Sequence, residues 1–496
     1  MELLLRGHDY KYAVEQLLLL SFPGERPVYV EEDRGGLAFA ESSLSGDGRL
    51  ARTFLRLNGR ESRGEAALEG PAPMEPLLYK RETQKLVKLS FFRAARELTG
   101  IDPPWGALTG IRPGKLAERF MRETGRGEAE AARWLTEEYY VSPRRAALCA
   151  RAAAEAETVR ESLAEGDISL YIGIPFCPTR CAYCSFVSHS VEKSLKLIAP
   201  YLEALHKEIA ALGALCRELG LRPVSVYVGG GTPTTLSAPE LAALIACLRE
   251  HIDFAAVREF TVEAGRPDTI TREKLLAIRE GGADRISINP QTMSDAVLEA
   301  IGRRHSGAAV VESFSLAREV FPGAVNMDLI AGLPGDDPAG FAASLDQVIA
   351  LGPENITVHT LSLKRGSRIN LDKTPLPDGA AVGEMLDYAA EALTGAGFAP
   401  YYLYRQKFTS GGFENVGWTR PGFTGLYNIC MMEELHSTLS LGAGGVSKLV
   451  NPATGLIERV FNKKYPYEYI ASIEELIAGK AAIRDFYARM RGEGTP

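Results

Sequence analysis

The sequence predicts an α/β protein: a partial (β/α)6 barrel, preceded by an N-terminal α/β or α+β domain and followed by a C-terminal extension. Two observations support this. From about Ile168 onward short β-branched runs alternate with longer amphipathic runs, the pattern of βα units in a parallel sheet, and both ends of the chain break that alternation. The expected boundaries are 1–165, 166–397 and 398–496. With 496 residues there is room for about three domains of roughly 150 residues, or for one large barrel and a smaller domain.

The first part holds strand-like pieces such as "RPVYVEE" and then a helix-rich stretch ("KLVKLSFFRAARELTG", "GKLAERFMRETG", "RRAALCARAAAEAETVRESLAEG"), with no chemistry legible in it. The barrel strands are expected at 168–174 ("ISLYIGI"), 224–230 ("VSVYVGG"), 259–265 ("EFTVEAG"), 284–290 ("DRISINP"), 324–332 ("AVNMDLIAG") and 355–361 ("NITVHTL"). Helix starts carry punctuation between them. Pro200 opens one helix, Ser237 with Glu240 forms a capping box, and Asp337 followed by Pro338 reads as an N-cap and an N1 proline. A barrel of this kind builds its site at the C-terminal ends of the strands. After Gly397 the chain turns aromatic and glycine-rich ("FAPYYLYRQKFTSGGFENVGW", "LGAGGVSK"), as expected of an extension packed near the barrel mouth and covering substrate.

Charged residues make up 24% of the chain and the net charge is −7, so there is no general basic field for nucleic acid or an anionic membrane surface. There is no charged-then-apolar leader and no apolar run of the roughly eighteen residues that a membrane span needs, which predicts a cytoplasmic protein. Seven cysteines, an odd number, do not suggest a secreted disulfide framework, and Cys149, Cys216, Cys247 and Cys430 read as small core residues.

The other three, Cys177, Cys181 and Cys184, lie within eight residues in "YIGIPFCPTRCAYCSF". Their spacing also matches one face of a buried helix, but a proline inside a helix costs about 3 kcal/mol, and Pro175 and Pro178 flank the first cysteine. A loop leaving the strand "SLYIGI" is the better reading. Zinc is an alternative, although structural zinc sites are normally closed by four ligands and His189 is the one nearby candidate for a fourth. Three thiolates without a fourth suit an iron-sulfur cluster with one iron left open.

"GGGTPT" (229–234) follows a strand directly and lacks the Gly-Lys-Ser/Thr of a phosphate-cradling loop; it reads as an ordinary βα turn or as a place of close backbone approach to a ligand. Glu263 and Asp328 sit on otherwise apolar strands, where an unpaired carboxylate is costly. Each pairs with a neighbouring arginine, caps a helix, or meets the amino or hydroxyl groups of a bound nucleoside. Gln291 and Arg303, taken singly, are equally well surface residues.

"CPTRCAYC", with aromatic Tyr183 before the last cysteine, resembles the C-x3-C-x2-C signature of the radical S-adenosylmethionine (SAM) superfamily. The resemblance implies one 4Fe-4S cluster on Cys177, Cys181 and Cys184, with SAM chelating the open iron and cleaved by the reduced cluster to methionine and a 5'-deoxyadenosyl radical. It also implies that "GGGTPT" receives the methionine part of SAM. The ordered series "VGGGTPT", "TVEAGRPDTI", "RISINPQT", "IGRRHS" and "NMDLIAGLPGD" is similar to the oxygen-independent coproporphyrinogen III oxidase (dehydrogenase) group. "PPWGALTGIRPGKL", "PYYLYRQK", "ENVGW" and "LGAGGVSK" resemble its HemZ-type branch. Position by position this implies SAM contacts at Tyr171, Gly230, Gly231, Thr232, Glu263, Gln291, Arg303 and Asp328, with Tyr183 against the cluster and SAM. The implied reaction is oxidative decarboxylation of two porphyrinogen propionates to vinyl groups in haem biosynthesis. It needs an electron donor of flavodoxin or ferredoxin type and an electron acceptor.

The sequence departs from that group in two places: Phe186 stands where its established enzymes carry another cysteine, and Gly173 where they carry histidine. The alternatives are a radical SAM enzyme with another small-molecule substrate and a haem chaperone relative. The haem-binding stretch of the latter, His-Asn-x-x-Tyr-Trp, aligns with residues 427–432, where only Asn428 matches; His436 nearby reads as structural. A substrate with four carboxylates calls for cations at the barrel mouth, and Lys364, Arg365, Arg405, Lys407 and Lys448 are the candidates.

Overall fold

The structure, a computed structural model, describes residues 1–71, 73–184, 189–190, 195–363, 367–406 and 409–492. Phe186, Lys364, Arg365 and Lys407 lie outside the described residues, as does the side chain of His189. The chain divides into two units, Met1–Arg151 with Gly411–Phe413, and Ala152–Ser410 with Glu414–Pro496. The first therefore ends inside the helix Pro143–Glu161, ahead of the change of pattern near residue 165.

In the first unit, strands β1 (Glu2–Arg6), β2 (Val28–Tyr29), β3 (Ala38–Leu44), β4 (Leu50–Leu57) and β5 (Arg60–Ala67) form a sheet in the order β2-β1-β3-β4-β5. β1 runs parallel to both its neighbours, whereas β3, β4 and β5 are antiparallel. Alternate burial along β5 shows that one face is covered. The cover comes from the helices Lys11–Ser21 and Pro76–Thr99, whose Leu17, Leu18, Phe91 and Phe92 share a core with Leu3, Ala40 and Leu55. "RPVYVEE" contributes only the two exposed residues of β2.

The second unit contains the six expected strands, β6 (Asp167–Ile174), then after the two-residue pair β7 (Phe176–Cys177) and β8 (His189–Ser190), β9 (Arg222–Gly230), β10 (Glu259–Glu263), β11 (Arg285–Ser287), β12 (Ala324–Ala331) and β13 (Asn355–Thr360). The six pair in chain order, all parallel. Their near-continuous apolar runs follow from burial on both faces. The capping box at Ser237 forms as expected, and Asp337 caps the helix Pro338–Leu351 by accepting from the Gly340 amide. The helix expected to open at Pro200 begins at Ile198 instead; a proline in the first turn removes no helical hydrogen bond, so two residues can precede it.

Residues beyond 398 extend this same sheet at both edges. β14 (Ala399–Arg405) and β15 (Glu414–Thr419) add antiparallel beside β13, while β16 (Thr438–Leu441) lies parallel to β6 and leads to antiparallel β17 (Val446–Val450) and β18 (Ile457–Phe461). Of the single cysteines, Cys149, Cys216 and Cys430 are buried and Cys247 is half-buried. Among the described residues no helix is long and apolar enough to cross a membrane.

Candidate functional site

Successive side chains of a strand point to opposite faces, and each barrel strand uses this to separate packing from chemistry. Ile168, Leu170 and Ile172 of β6 are fully buried, while Tyr171 and Gly173 line a cavity of about 1010 Å³. The alternation repeats around the barrel. Tyr227 of β9, Glu263 of β10, Ser287 of β11, Asp328 of β12 and His359 of β13 all face this cavity, while Val226, Val262, Ile286, Met327 and Val358 just before them are buried and do not line it.

The cysteines stand on the segment that leaves β6, and the segment is a loop, not a helix. The glycines after β9 explain its position. A Cβ on Gly231 would lie 2.5 Å from the Phe176 carbonyl oxygen and 2.8 Å from that of Ile174. Without side chains, the two backbones dock: the Gly231 amide donates to Ile174 O at 2.8 Å and the Thr232 amide to Phe176 O at 2.7 Å. Gly230 adopts φ +110°, a conformation that favours glycine. The glycine run thus admits protein backbone before any ligand, and it brings the Thr232 hydroxyl to 3.6 Å from the Cys177 sulfur.

The other end of the loop is clamped by the segments after β10 and β11. The Ala182 amide donates to Ile301 O at 2.9 Å, and Arg266 donates to both the carbonyl and the hydroxyl of Thr179. Arg303 donates to Asn289 O at 2.7 Å and to the Tyr183 hydroxyl at 3.2 Å. Burial opposes the charge of Arg303, but Tyr183 and the Cys181 thiol hold its pKa above the usual value; burial itself pushes the Tyr183 hydroxyl up. Cys177, Cys181, Tyr183 and Cys184 all line the cavity. The zinc alternative relied on His189 for its fourth ligand, and that side chain lies outside the described residues.

Glu263 and Asp328 face the same space in opposite electrostatic states. Burial pushes Glu263 up to about 7, with Asp328 adding to the effect and hydrogen bonds from Tyr227 and the Gly230 amide opposing it. Asp328 is also disfavoured by burial, but His359, Asn326 and Thr357 outweigh this and hold it below the carboxylate range. Asn326 Nδ2 lies 2.7 Å from Asp328 Oδ1, and His359 Nε2 lies 3.7 Å from Oδ2. Among the described residues neither carboxylate pairs with an arginine or caps a helix. Gln291 reaches the wall because its backbone bridges to β12, its amide donating to Asp328 O while its own carbonyl accepts from Ile330; this costs it a left-handed φ of +70°.

The Glu263 carboxyl is neutral in the folded state up to about pH 7, whereas in the unfolded chain it ionises near 4.5. Its contribution to stability is therefore fully present below about pH 4.5 and lost as the pH rises through about 7. Thermal melts of cofactor-free protein should show wild type losing stability between about pH 5 and about pH 8 relative to Glu263→Gln. Equal pH responses of the two proteins would remove Glu263 as the source.

Several wall residues were not singled out from the sequence. Tyr227 stacks on Tyr427 with ring centroids 4.4 Å apart and more loosely on Tyr171 at 6.2 Å, forming an aromatic wall. Tyr401, Tyr402 and Tyr404 are largely buried and also line the cavity. At its inner end Glu259 accepts from the amides of Leu426 and Tyr427, and Arg285 binds Asn355, the Phe423 carbonyl and Glu259. Two expected cations are corrected. Lys448 is buried, 3.3 Å from Glu434, and donates to Met431 O; Arg405 is buried, and neither lines the cavity. His436 is buried against the Ser169 hydroxyl at 2.7 Å, and burial pushes its pKa down to about 4, which makes it structural.

The parallel barrel and the cysteine loop at its mouth are those of a radical SAM protein, and residues 171–348 match the family model described as the Radical SAM superfamily. The oxygen-independent coproporphyrinogen-III oxidase-like protein HemZ of Bacillus subtilis is 38% identical over 400 residues, covering 78% of each chain. The heme chaperone HemW of Haemophilus influenzae is 29% identical over 306 residues, covering 61% of this chain and 76% of its own. The structure of coproporphyrinogen III oxidase (HemN) from Escherichia coli shares the fold, with a TM-score of 0.52 and 24% identity over 64% of this chain and 71% of that one. The chain belongs to the radical SAM superfamily and, within it, to the coproporphyrinogen-III oxidase-like family of HemZ. Its cofactors are a 4Fe-4S cluster and SAM. The residues present fit both groups: three thiols share one cavity wall, and Asn289 Oδ1 and Arg303 Nε are buried in that wall with no hydrogen-bond partner among the described residues.

Proposed function

We propose that this radical SAM enzyme oxidatively decarboxylates propionate side chains of coproporphyrinogen III to vinyl groups, yielding protoporphyrinogen IX, without oxygen. The observation that carries the reading is the size of the cavity joined to the cysteine loop. At about 1010 Å³ it stands at the upper end of the range for one drug-sized ligand, which leaves room for a substrate beside SAM. The likeness to HemZ, a protein named coproporphyrinogen-III oxidase-like, gives the substrate class.

In this reading Cys177, Cys181 and Cys184 hold three irons of the cluster, and Tyr171, Tyr183, Gly230, Gly231, Thr232, Glu263, Gln291, Arg303 and Asp328 bind SAM. When bound, the reduced cluster and SAM supply the 5'-deoxyadenosyl radical that takes hydrogen from the substrate. Each propionate then gives up one hydrogen atom, one electron and carbon dioxide to become a vinyl group. The chain's own residues orient and exclude water. Asp328, ionised beside His359 and Asn326, accepts hydrogen bonds from ligand hydroxyls, and Glu263 ionises when a ligand amino group comes to face it. Tyr171, Tyr227 and Tyr427 wall off one side with aromatic surface. A flavodoxin- or ferredoxin-like donor and an electron acceptor complete the cycle, in the cytoplasm.

The test is anaerobic: the protein is reconstituted with iron and sulfide and given dithionite, SAM and coproporphyrinogen III. Deoxyadenosine together with vinyl product is expected. Deoxyadenosine without porphyrinogen turnover would assign another substrate. Stoichiometric haem binding without SAM cleavage would favour the haem chaperone reading that the likeness to HemW motivates.

A further inference from the structure

The structure holds a candidate recognition point for an anionic substrate at the end of the edge strand β18. Phe461, the last residue of β18, is 65% exposed, and Lys464 three residues later is exposed; both line the cavity. The turn between them is fixed. The Asn462 amide donates to Gly445 O at 2.9 Å, and its side chain donates to Glu208 Oε1 at 2.8 Å and Gly442 O at 2.9 Å. Lys463 is engaged by Glu475 at 3.3 Å.

The other described charged and imidazole groups of the cavity wall already face protein groups, and Arg303 is assigned to SAM. Arg266 pairs with Asp268, Arg285 with Glu259 and Asn355, and Arg303 with Asn289 and Tyr183, while His359 faces Asp328. Among the described residues Lys464 has no carboxylate within ion-pair distance, and its ammonium group lies 5.6 Å over the Tyr465 ring. A carboxylate entering the cavity meets an uncommitted charge there. Phe461, with two side-chain torsions, offers apolar surface at small entropic cost.

We propose that Phe461 and Lys464 form the substrate-recognition rim: Lys464 takes one carboxylate of a macrocyclic polycarboxylate, and Phe461 packs on its apolar ring face. The inference rests on the porphyrinogen reading for its substrate class. A lysine suits the task because its ammonium is a compact point charge with three donors on a flexible stem, able to meet any one of several carboxylates. The rigid turn sets where that charge stands.

Binding without turnover tests the rim. Cluster-loaded protein is titrated anaerobically with coproporphyrin III and with its tetramethyl ester. Wild type should bind the tetra-acid more tightly than the ester, and Lys464→Glu should weaken the acid about tenfold, leave the ester unchanged and flatten the salt dependence of acid binding. Lys464→Arg should keep wild-type preference, and Phe461→Ala should weaken acid and ester alike. Equal affinity of wild type for acid and ester, or undiminished acid affinity in Lys464→Glu, overturns the proposal. Lys464-dependent binding without vinyl product in the turnover assay sinks the decarboxylation reading and keeps the rim. Vinyl product with unaltered acid binding in Lys464→Glu does the reverse.

Discussion

The Cys181→Ala protein, reconstituted with iron and sulfide, is expected to lack a 4Fe-4S cluster and to cleave SAM at least about a thousandfold more slowly than wild type, because the acceleration belongs to the cofactor. Cys181 lies in the clamped loop, lines the cavity and faces Arg303. None of Cys149, Cys216, Cys247 and Cys430 lines the cavity. Burial pushes the thiols of Cys216 and Cys430 up to about 12, which keeps them protonated. Cys216→Ala and Cys430→Ala should therefore retain cluster and activity. Electron paramagnetic resonance of the dithionite-reduced proteins and deoxyadenosine formation give independent readings. A full cluster in Cys181→Ala would show that the ligand assignment is wrong.

The six barrel strands were legible because burial on both faces leaves continuous β-branched runs, and Ser237 and Asp337 marked helix starts through local side-chain chemistry. The cysteine loop was legible from its prolines. What local pattern could not carry was pairing across long separations: β16 joins β6 from more than 260 residues away, with Leu439 opposite Leu170. For the same reason Lys448 looked like an available cation, since Glu434 meets it through the fold. Tyr227 and His359 did leave a signal. Tyr227 stands opposite Tyr171 in the register of β6 and β9, and His359 shares the parity of Thr357 in "NITVHTL", so the inward face of each strand could have been read from polar residues at every second position. Lys464 left none, because a lysine followed by tyrosine and proline reads as surface.

Lys480→Met should destabilise the second unit by about 3 to 5 kcal/mol, the cost of removing one partner from a buried ion pair. Glu208, on the helix Ile198–Leu219, is fully buried and accepts from four donors: Lys480 Nζ and the Gly442 amide at 2.8 Å, Asn462 Nδ2 at 2.8 Å and the Tyr469 hydroxyl at 2.5 Å. Burial disfavours its charge, but Lys480, Tyr469 and Gly442 outweigh that and hold its pKa below the ordinary value. In wild type this stability is present above the unfolded pKa and lost as the pH falls through the lower folded one. Without Lys480 the buried carboxylate keeps only neutral donors, so it takes up a proton at higher pH. The deficit of Lys480→Met should then shrink on acidification, and thermal melts at about pH 8 and about pH 5 should show the larger difference at pH 8. Adding Glu208→Gln removes the stranded charge while keeping an acceptor oxygen, so the double variant should regain part of the loss. A pH-independent deficit, or no rescue, would mean that Lys480 supports the unit by packing alone. Because Glu208 also holds Gly442 and Asn462, the same loss should loosen the turn that carries Lys464, so coproporphyrin III affinity should fall in Lys480→Met and recover with the rescue.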